Sequence, residues 1–339
     1  MNLVMLSTDP KMLDSTSGVF KRTMEYAQFC DSLTVVLAGR GAPKEVVQGN
    51  VRIVAPGGAG RIINFFRMLY TARLLRATIV TAQDPFFMGL IGVLTGVRPL
   101  QIQLHTTEFG IVGKLLARIT LRFATCVRVV SKDVYERVKP LTRAPVSVLP
   151  IFVDSTGYVA EHPRPAVFGD HPVVLTVSRL TKEKNIDRVI GALKHIPGAH
   201  LYIVGDGPQK TSLQRAAERL RLSERVHFLG WHSDTVPFLQ HADCFVQASA
   251  FEGYGMSLME AILAGAPAVS TDVGVAHELS RDLVTTVRGD EYSLAEGIQT
   301  VLSNPSREKR KEARDTLVRS LGTHAEYLAR YKQLLVTCG

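Results

Sequence analysis

Short apolar runs alternate with longer amphipathic stretches along almost the whole chain. That alternation marks parallel strands joined by crossover helices, so the fold class is α/β. In the first half it predicts strands at 2–7, 33–38, 51–54, 79–82, 101–105, 126–130 and 146–149, with helical segments between most of them. From 150 to 172 the pattern lapses into polar residues with prolines at 150, 163, 165 and 172, which reads as a linker. A second series follows, with strands at 173–178, 200–205, 226–229, 244–247 and 268–271. The expected organisation is two Rossmann-like, doubly wound domains, 1–160 and 161–322, with a C-terminal helix at about 323–339 packing back on the first. In such sheets ligands sit beyond the carboxyl ends of the strands, so functional residues should follow strands directly.

Charge sharpens this picture more than composition does. The formal net charge is +9, and residues 1–165 hold 20 Lys+Arg against 11 Asp+Glu while the remainder balances. A basic half beside a neutral half points to a polyanionic surface partner, anionic lipid or nucleic acid, or else to an incidental basic surface. No recognised nucleic-acid motif accompanies the charge, so nucleic acid is not expected. Cys30, Cys126, Cys244 and Cys338 are scattered without C-x-x-C spacing, which fits free thiols in a reducing cytoplasm. The amino terminus lacks the basic n-region of a signal peptide. The longest apolar run, 86–97, is interrupted by glycines and falls short of the ~20 residues that span a bilayer.

The sharpest chemical feature is Phe251-Glu252-Gly253-Tyr254-Gly255-Met256-Ser257-Leu258-Met259-Glu260-Ala261. Two carboxylates here flank a glycine-rich turn that opens a helix. Free amides at Gly255, Met256 and Ser257 suit a phosphate, and carboxylates beside it suit sugar and ribose hydroxyls. Glu260 could instead simply favour the helix start. After the strand at 173–178, Arg179 and Lys184 place two cations at one strand end, as a diphosphate requires. Gly205-Asp206-Gly207 resembles a Rossmann phosphate turn without its third glycine. Gly18 could offer its amide to a phosphate, or Ser15 or Ser17 could be an ordinary helix cap. His105 ends a strand on the ligand side of the first sheet. The remaining histidines, including His171, His195, His200 and His324, show no ligand spacing, so no metal is expected. A serine-hydrolase elbow is absent.

In this order and spacing the motifs resemble the retaining GT-B glycosyltransferases marked by an E-x7-E signature, the group 1 or family 4 glycosyl transferases. The likeness is strong from Val173 to about Leu279, through Ser178-Arg179-Leu180, Gly205-Asp206-Gly207-Pro208, Phe228-Leu229-Gly230-Trp231 and 252–266. It implies two domains facing each other across a cleft, a nucleotide-diphosphate sugar as substrate, and no cofactor or metal. It further implies that Arg179 and Lys184 bind the diphosphate, Glu260 the ribose and Glu252 the transferred sugar, with His105 touching that sugar and His232 bordering the base. Gly18, Gly205, Tyr254, Gly255, Met256 and Ser257 complete the implied donor site. The mechanism implied is front-face displacement, in which a leaving-group oxygen takes the acceptor's proton. Asn185 departs from the family's usual Gly, and Ser17-Gly18 from its Gly-Gly. The alternatives are an epimerase or phosphorylase of the same fold, or a non-catalytic binding protein.

The implied acceptor is a sugar or a lipid-linked glycan, and 60–76 bears on the second. This segment carries Arg61, Arg67, Arg73 and Arg76 and no acid, with Phe65, Phe66, Met68, Leu69 and Leu75 as candidates for insertion into a membrane. Lys114, Arg118 and Arg122 follow at helical spacing. The expectation is a cytoplasmic enzyme held peripherally at the inner face of an anionic membrane. The competing reading packs the apolar residues on the sheet and leaves the arginines as a solvated face.

Overall fold

A computed structural model describes residues 1–106, 111–304 and 307–338. Two compact units emerge, Met1–Ile151 with Thr323–Gly339, and Phe152–Gly322. In the first, β1 (Asn2–Ser7), α1 (Gly18–Tyr26), β2 (Ser32–Leu37), β3 (Lys44–Gln48) and β4 (Val51–Ala55) lead into α2 (Arg61–Leu74) and β5 (Ile79–Ala82). Then come α3 (Phe87–Thr95), β6 (Leu100–Leu104), α4 (Ile111–Arg122), β7 (Cys126–Val129), α5 (Lys132–Val138) and β8 (Val146–Val148). The sheet runs β3-β4-β2-β1-β5-β6-β7-β8, with only β3 antiparallel to its neighbour. Mostly exposed and polar, β3 gives the weak pattern of an edge strand, and the sequence reading missed it.

The second unit contains β9 (Val173–Val177), α6 (Ile186–Ala192), β10 (His200–Val204), α7 (Lys210–Arg219), β11 (Val226–Gly230), α8 (Val236–Gln240) and β12 (Cys244–Gln247). It continues through α9 (Met256–Leu263), β13 (Ala268–Thr271), β14 (Val284–Val287), α10 (Glu291–Ser303) and α11 (Arg307–Leu321). All six strands are parallel in the order β11-β10-β9-β12-β13-β14, the Rossmann order. Val173, Val174, Leu175, Leu201, Ile203, Cys244, Phe245 and Val246 are buried, because helices cover both faces of a parallel sheet. Ile190 and Leu193 share one core with Leu294 and Ile298 of α10. β14 is the far edge strand, and like β3 it escaped the sequence pattern.

The last helix, α12 (His324–Val336), belongs to the first unit. Its docking turns on Arg128 of β7, which is buried among neutral acceptors. The guanidinium donates to Gln103 Oε1 at 2.7 Å, to the Leu149 carbonyl at 3.1 Å and to Tyr327 Oη at 3.0 Å. Gln103 Nε2 in turn donates to Tyr331 Oη at 2.7 Å, and the Tyr331 ring stacks on Tyr26 of α1 with centroids 4.3 Å apart. A buried cation needs every donor met, so α12 supplies what the strands cannot. Cys338 reaches Cys126 and forms a disulfide with it. The expectation of four free thiols therefore fails at this pair, because 212 residues separate the partners and no local spacing announces them, while Cys30 and Cys244 remain free.

Tyr327→Phe would remove one acceptor from this buried charge. Loss of a hydrogen bond to a charged group costs about 1.5–3 kcal/mol, so the urea midpoint should fall accordingly. A midpoint unmoved in the variant would mean that Arg128 does not hold α12.

Candidate functional site

Strand order in the second unit reverses between β9 and β12, and the loops leaving their carboxyl ends carry Arg179, Lys184 and Glu252. Those loops are tied together. The Ala250 amide donates to the Glu183 carbonyl at 2.8 Å, and Asn185 Nδ2 donates to the Ala248 carbonyl at 3.0 Å. Lys184 Nζ meets Glu252 Oε1 at 2.6 Å, with the two side chains only 15% and 14% exposed, and Ser249 Oγ donates to the same oxygen at 2.7 Å. Asn185 has φ 48°, a left-handed conformation that Asn tolerates better than most residues. Its departure from Gly is thereby accommodated, and its amide gains a bond that glycine could not make.

Two glycines set the spacing around these loops. A Cβ on Gly205 would stand 1.9 Å from the Ser178 carbonyl oxygen, so this glycine lets the β10 turn pack against the Arg179 loop. Gly274, which sequence reasoning missed, has φ +59° and would place a Cβ 2.6 Å from the Tyr254 carbonyl oxygen and 2.9 Å from Glu252 Cβ. It backs the Glu252–Tyr254 turn from the β13 side, where the Val275 amide donates to Tyr254 O at 2.6 Å. Arg179 is exposed at the strand end, and Ser178 Oγ is buried without a hydrogen-bond partner among the described residues.

Gly255 precedes α9, and among the described residues no side chain caps the helix. The first amides, Met256 and Ser257, are thus left for a ligand. Glu260, in the second turn of α9, is largely enclosed, and burial raises its pKa. The phenol of Tyr158 is raised first by its own burial and then by the Glu260 charge, which places this residue of the predicted linker beside the carboxylate. Burial also pushes the Tyr254 phenol up to about 12, with Glu278 adding to the shift. His232 lies exposed just beyond β11, edge-on to Phe238 with centroids 4.8 Å apart.

In the first unit His105 follows β6 and lines a pocket of about 320 Å³ with Thr8, Arg22, Gln83, Arg128 and Tyr327. The imidazole reaches solvent through the pocket, yet protein encloses most of its surroundings. That enclosure, with Arg128 and Arg22 adding positive charge, pulls it down to about 4, so it is neutral at neutral pH. Its Nε2 lies 3.3 Å from Gln83 Oε1. At Gly18 the ordinary cap is present, since Ser17 Oγ accepts from the Phe20 amide at 3.0 Å.

Two expectations need correction. The histidines do assemble: His171, His200 and His227 bring ligand atoms within 4.8 Å of one another, because neighbouring parallel strands align residues that no sequence spacing connects. Partial burial, with the other two rings, pulls His200 down to about 4, and burial lowers His227. On α2, Met68 and Leu69 are buried and cannot insert into a membrane. The exposed apolar residues are Ile62, Ile63, Phe66, Tyr70 and Leu74, with Phe66 62% and Tyr70 67% exposed. Val112, Leu115, Ile119 and Phe123 on and just after α4 are also exposed. A groove of about 380 Å³ lined by Ile62, Phe65, Phe87, Leu90 and Leu116 links α2, α3 and α4. Among the described residues no helix is long and apolar enough to cross a membrane.

Known proteins resemble both the sequence and the fold. Residues 160–316 match the family model of the glycosyl transferases group 1. The lipopolysaccharide core biosynthesis glycosyltransferase LpsE of Rhizobium meliloti is 34% identical over 174 residues, 50% of this chain and 51% of that protein. One component of the human phosphatidylinositol N-acetylglucosaminyltransferase is 31% identical over 184 residues, 52% of this chain and 37% of its own length. The chain thus spans about half the length, or less, of these relatives. Sucrose-phosphate synthase from Thermosynechococcus elongatus superimposes with a TM-score of 0.81 at 18% identity, over 98% of each chain. Anabaena HepE, solved in complex with UDP and glucose, superimposes with a TM-score of 0.78 at 20% identity, over 99% of each chain. The fold is therefore the two-domain GT-B type, and residues 160–316, a little under half of the chain, match the glycosyl transferases group 1.

Proposed function

We propose that the protein transfers a sugar, with retention, from a nucleotide-diphosphate sugar to a hydroxyl of a lipid-linked or cell-envelope glycan, and that it does so without a catalytic metal. The observation that carries this reading is the Lys184–Glu252 pair, held by cross-tied loops where the second sheet reverses its strand order. Glu252 fixes the ammonium where a diphosphate would reach the carboxyl ends of the strands. The uncapped amides of α9 and exposed Arg179 stand nearby in sequence to share that charge. Together they stabilise the departing diphosphate, the electrostatic contribution that dominates such transfers, and a leaving-group oxygen accepts the acceptor's proton. The Glu260 carboxylate, enclosed and without a hydrogen-bond partner among the described residues, is suited to a ribose diol. Neutral His105 can donate to or accept from a sugar hydroxyl without adding charge. The lipopolysaccharide-core and phosphatidylinositol relatives support an envelope or lipid-linked acceptor, and HepE supports a uridine nucleotide.

An anionic membrane surface is part of the proposal. Ile62, Phe66, Tyr70 and Leu74 recur every fourth residue along α2, and Val112, Leu115 and Ile119 give α4 an apolar stripe. Exposed Arg61, Arg67, Arg73, Lys114, Arg118 and Arg122 accompany them. Apolar insertion flanked by cations suits anionic headgroups, each cation contributing about 1 kcal/mol near the surface.

Glu260→Ala should weaken nucleotide binding about 10- to 100-fold in calorimetry, as expected for a lost charged hydrogen bond. Lys184→Ala should instead lower kcat about 100- to 1,000-fold with a smaller change in affinity, since the diphosphate gains charge only as it leaves. Unchanged kinetics and binding in both variants would sink the assignment. Well below the melting temperature of the metal-free protein, a chelator should leave transfer intact; loss restored by magnesium or manganese would overturn the metal-free mechanism. In sedimentation assays the protein should follow anionic but not neutral vesicles, less so at high salt, and Phe66→Ser with Tyr70→Ser should abolish this. Equal, salt-independent partitioning, or none, would leave a soluble acceptor as the answer.

A further inference from the structure

We propose that His171, His200 and His227 form a binding site for one divalent transition-metal ion of the zinc class, at the amino-terminal edge of the second sheet. The inference is independent of the transfer chemistry. β11, β10 and β9 lie side by side and parallel, so residues near their starts share one edge. His200 opens β10, His227 is the second residue of β11, and His171 stands just before β9. Tyr202 pairs with His227 in register, and His200 lies two residues before Tyr202, so these side chains share one face of the pleat.

The three ligand nitrogens lie within 4.8 Å of one another. His200 Nδ1 and His227 Nε2 already face each other at 2.9 Å. Around tetrahedral zinc, bonds of about 2.0–2.1 Å put neighbouring nitrogens roughly 3.3 Å apart. That pair therefore opens by a few tenths of an ångström, the proton between the two nitrogens moves to the other nitrogen of the ring that carried it so that both bind as neutral imidazoles, and water takes the remaining position.

His171 is prepared by its surroundings. The Tyr202 hydroxyl donates to the Val167 carbonyl at 3.0 Å, so the Tyr202 oxygen accepts from His171 Nε2–H at 2.8 Å. This fixes the tautomer and leaves Nδ1 with its lone pair, the arrangement by which outer partners orient metal-binding imidazoles. A Cβ at residue 169 would fall 2.7 Å from the His171 ring, so Gly169 makes room for it. His171 stacks on His200 with centroids 3.4 Å apart and must tilt out of that stack to share an ion. Imidazole donors select zinc, copper or nickel over magnesium or calcium. The length of β10, about 16 Å, separates this edge from the loops that hold Lys184 and Glu252, so the ion would clamp three strands rather than join the transfer step.

Metal-stripped full-length protein, dialysed against zinc, should bind one ion per chain and melt at a higher temperature. His200→Gln and His227→Gln should each lose both effects, Tyr202→Phe should weaken binding about 10- to 100-fold, and His195→Gln should change neither. Circular dichroism checks that the variants fold. In the wild type, zinc should shift the imidazole nitrogen resonances of these three histidines whatever the fate of the variants. No binding by the wild type, resonance shifts confined to other residues, or stoichiometric binding that survives both glutamine substitutions would overturn the site.

Discussion

Winding a parallel sheet outward in both directions from its first strand forces the loops after the first and fourth strands to diverge. In the second unit those strands are β9 and β12, and Arg179, Lys184 and Glu252 fall on the loops that leave them. The constraint is geometric before it is chemical: the crevice exists because the winding reverses. What this chain adds is control over its width. Two main-chain or amide bonds and one enclosed ion pair fasten the loops to each other, and two glycines let neighbouring turns approach closer than any side chain would allow. Such a site is held in shape by its scaffold, which lowers the cost of organising it around a charged ligand.

The first unit solves a different problem. Burying Arg128 opposite neutral groups is costly unless every donor is met; Tyr327 of α12 accepts from it directly, while Tyr331 accepts from Gln103 and places its ring under the guanidinium. Enclosure by the protein does most to keep His105 neutral, and the same charge, with Arg22, adds to it, so the packing of the helix also bears on the pocket imidazole through one guanidinium. A basic unit thereby presents an uncharged imidazole in a pocket of its own.

Much of this was legible in the sequence, and the misses share a cause. Buried strands such as β1, β5, β12 and β13 announce themselves because both faces are covered and the apolar run is continuous. β3 and β14 do not, because an edge strand buries little. The Arg179–Lys184 loop and the segment from Glu252 to Glu260 were readable because their chemistry is local in the chain. Gly274, Tyr158, the Cys126–Cys338 bridge and the three histidines were not, because each depends on residues that only the folded sheet brings together. On α2, periodicity identified a helix with an apolar character but not which stripe faced the sheet, so Met68 and Leu69 changed places with Ile62 and Tyr70.

The chain leaves its first unit at Ile151 and re-enters it at Thr323. At the ribosome, then, the unit made first is the one completed last. The whole of its neighbour is synthesised before α12 exists, an interval of roughly 10–30 s at ordinary elongation rates. By the end of that time the second unit has all its strands and can close its core, whereas Arg128 and Gln103 still lack their tyrosines. The nascent protein is thus obliged to carry an unfinished unit ahead of a finished one, and that unit, with its exposed apolar helices, is where a chaperone would find its grip.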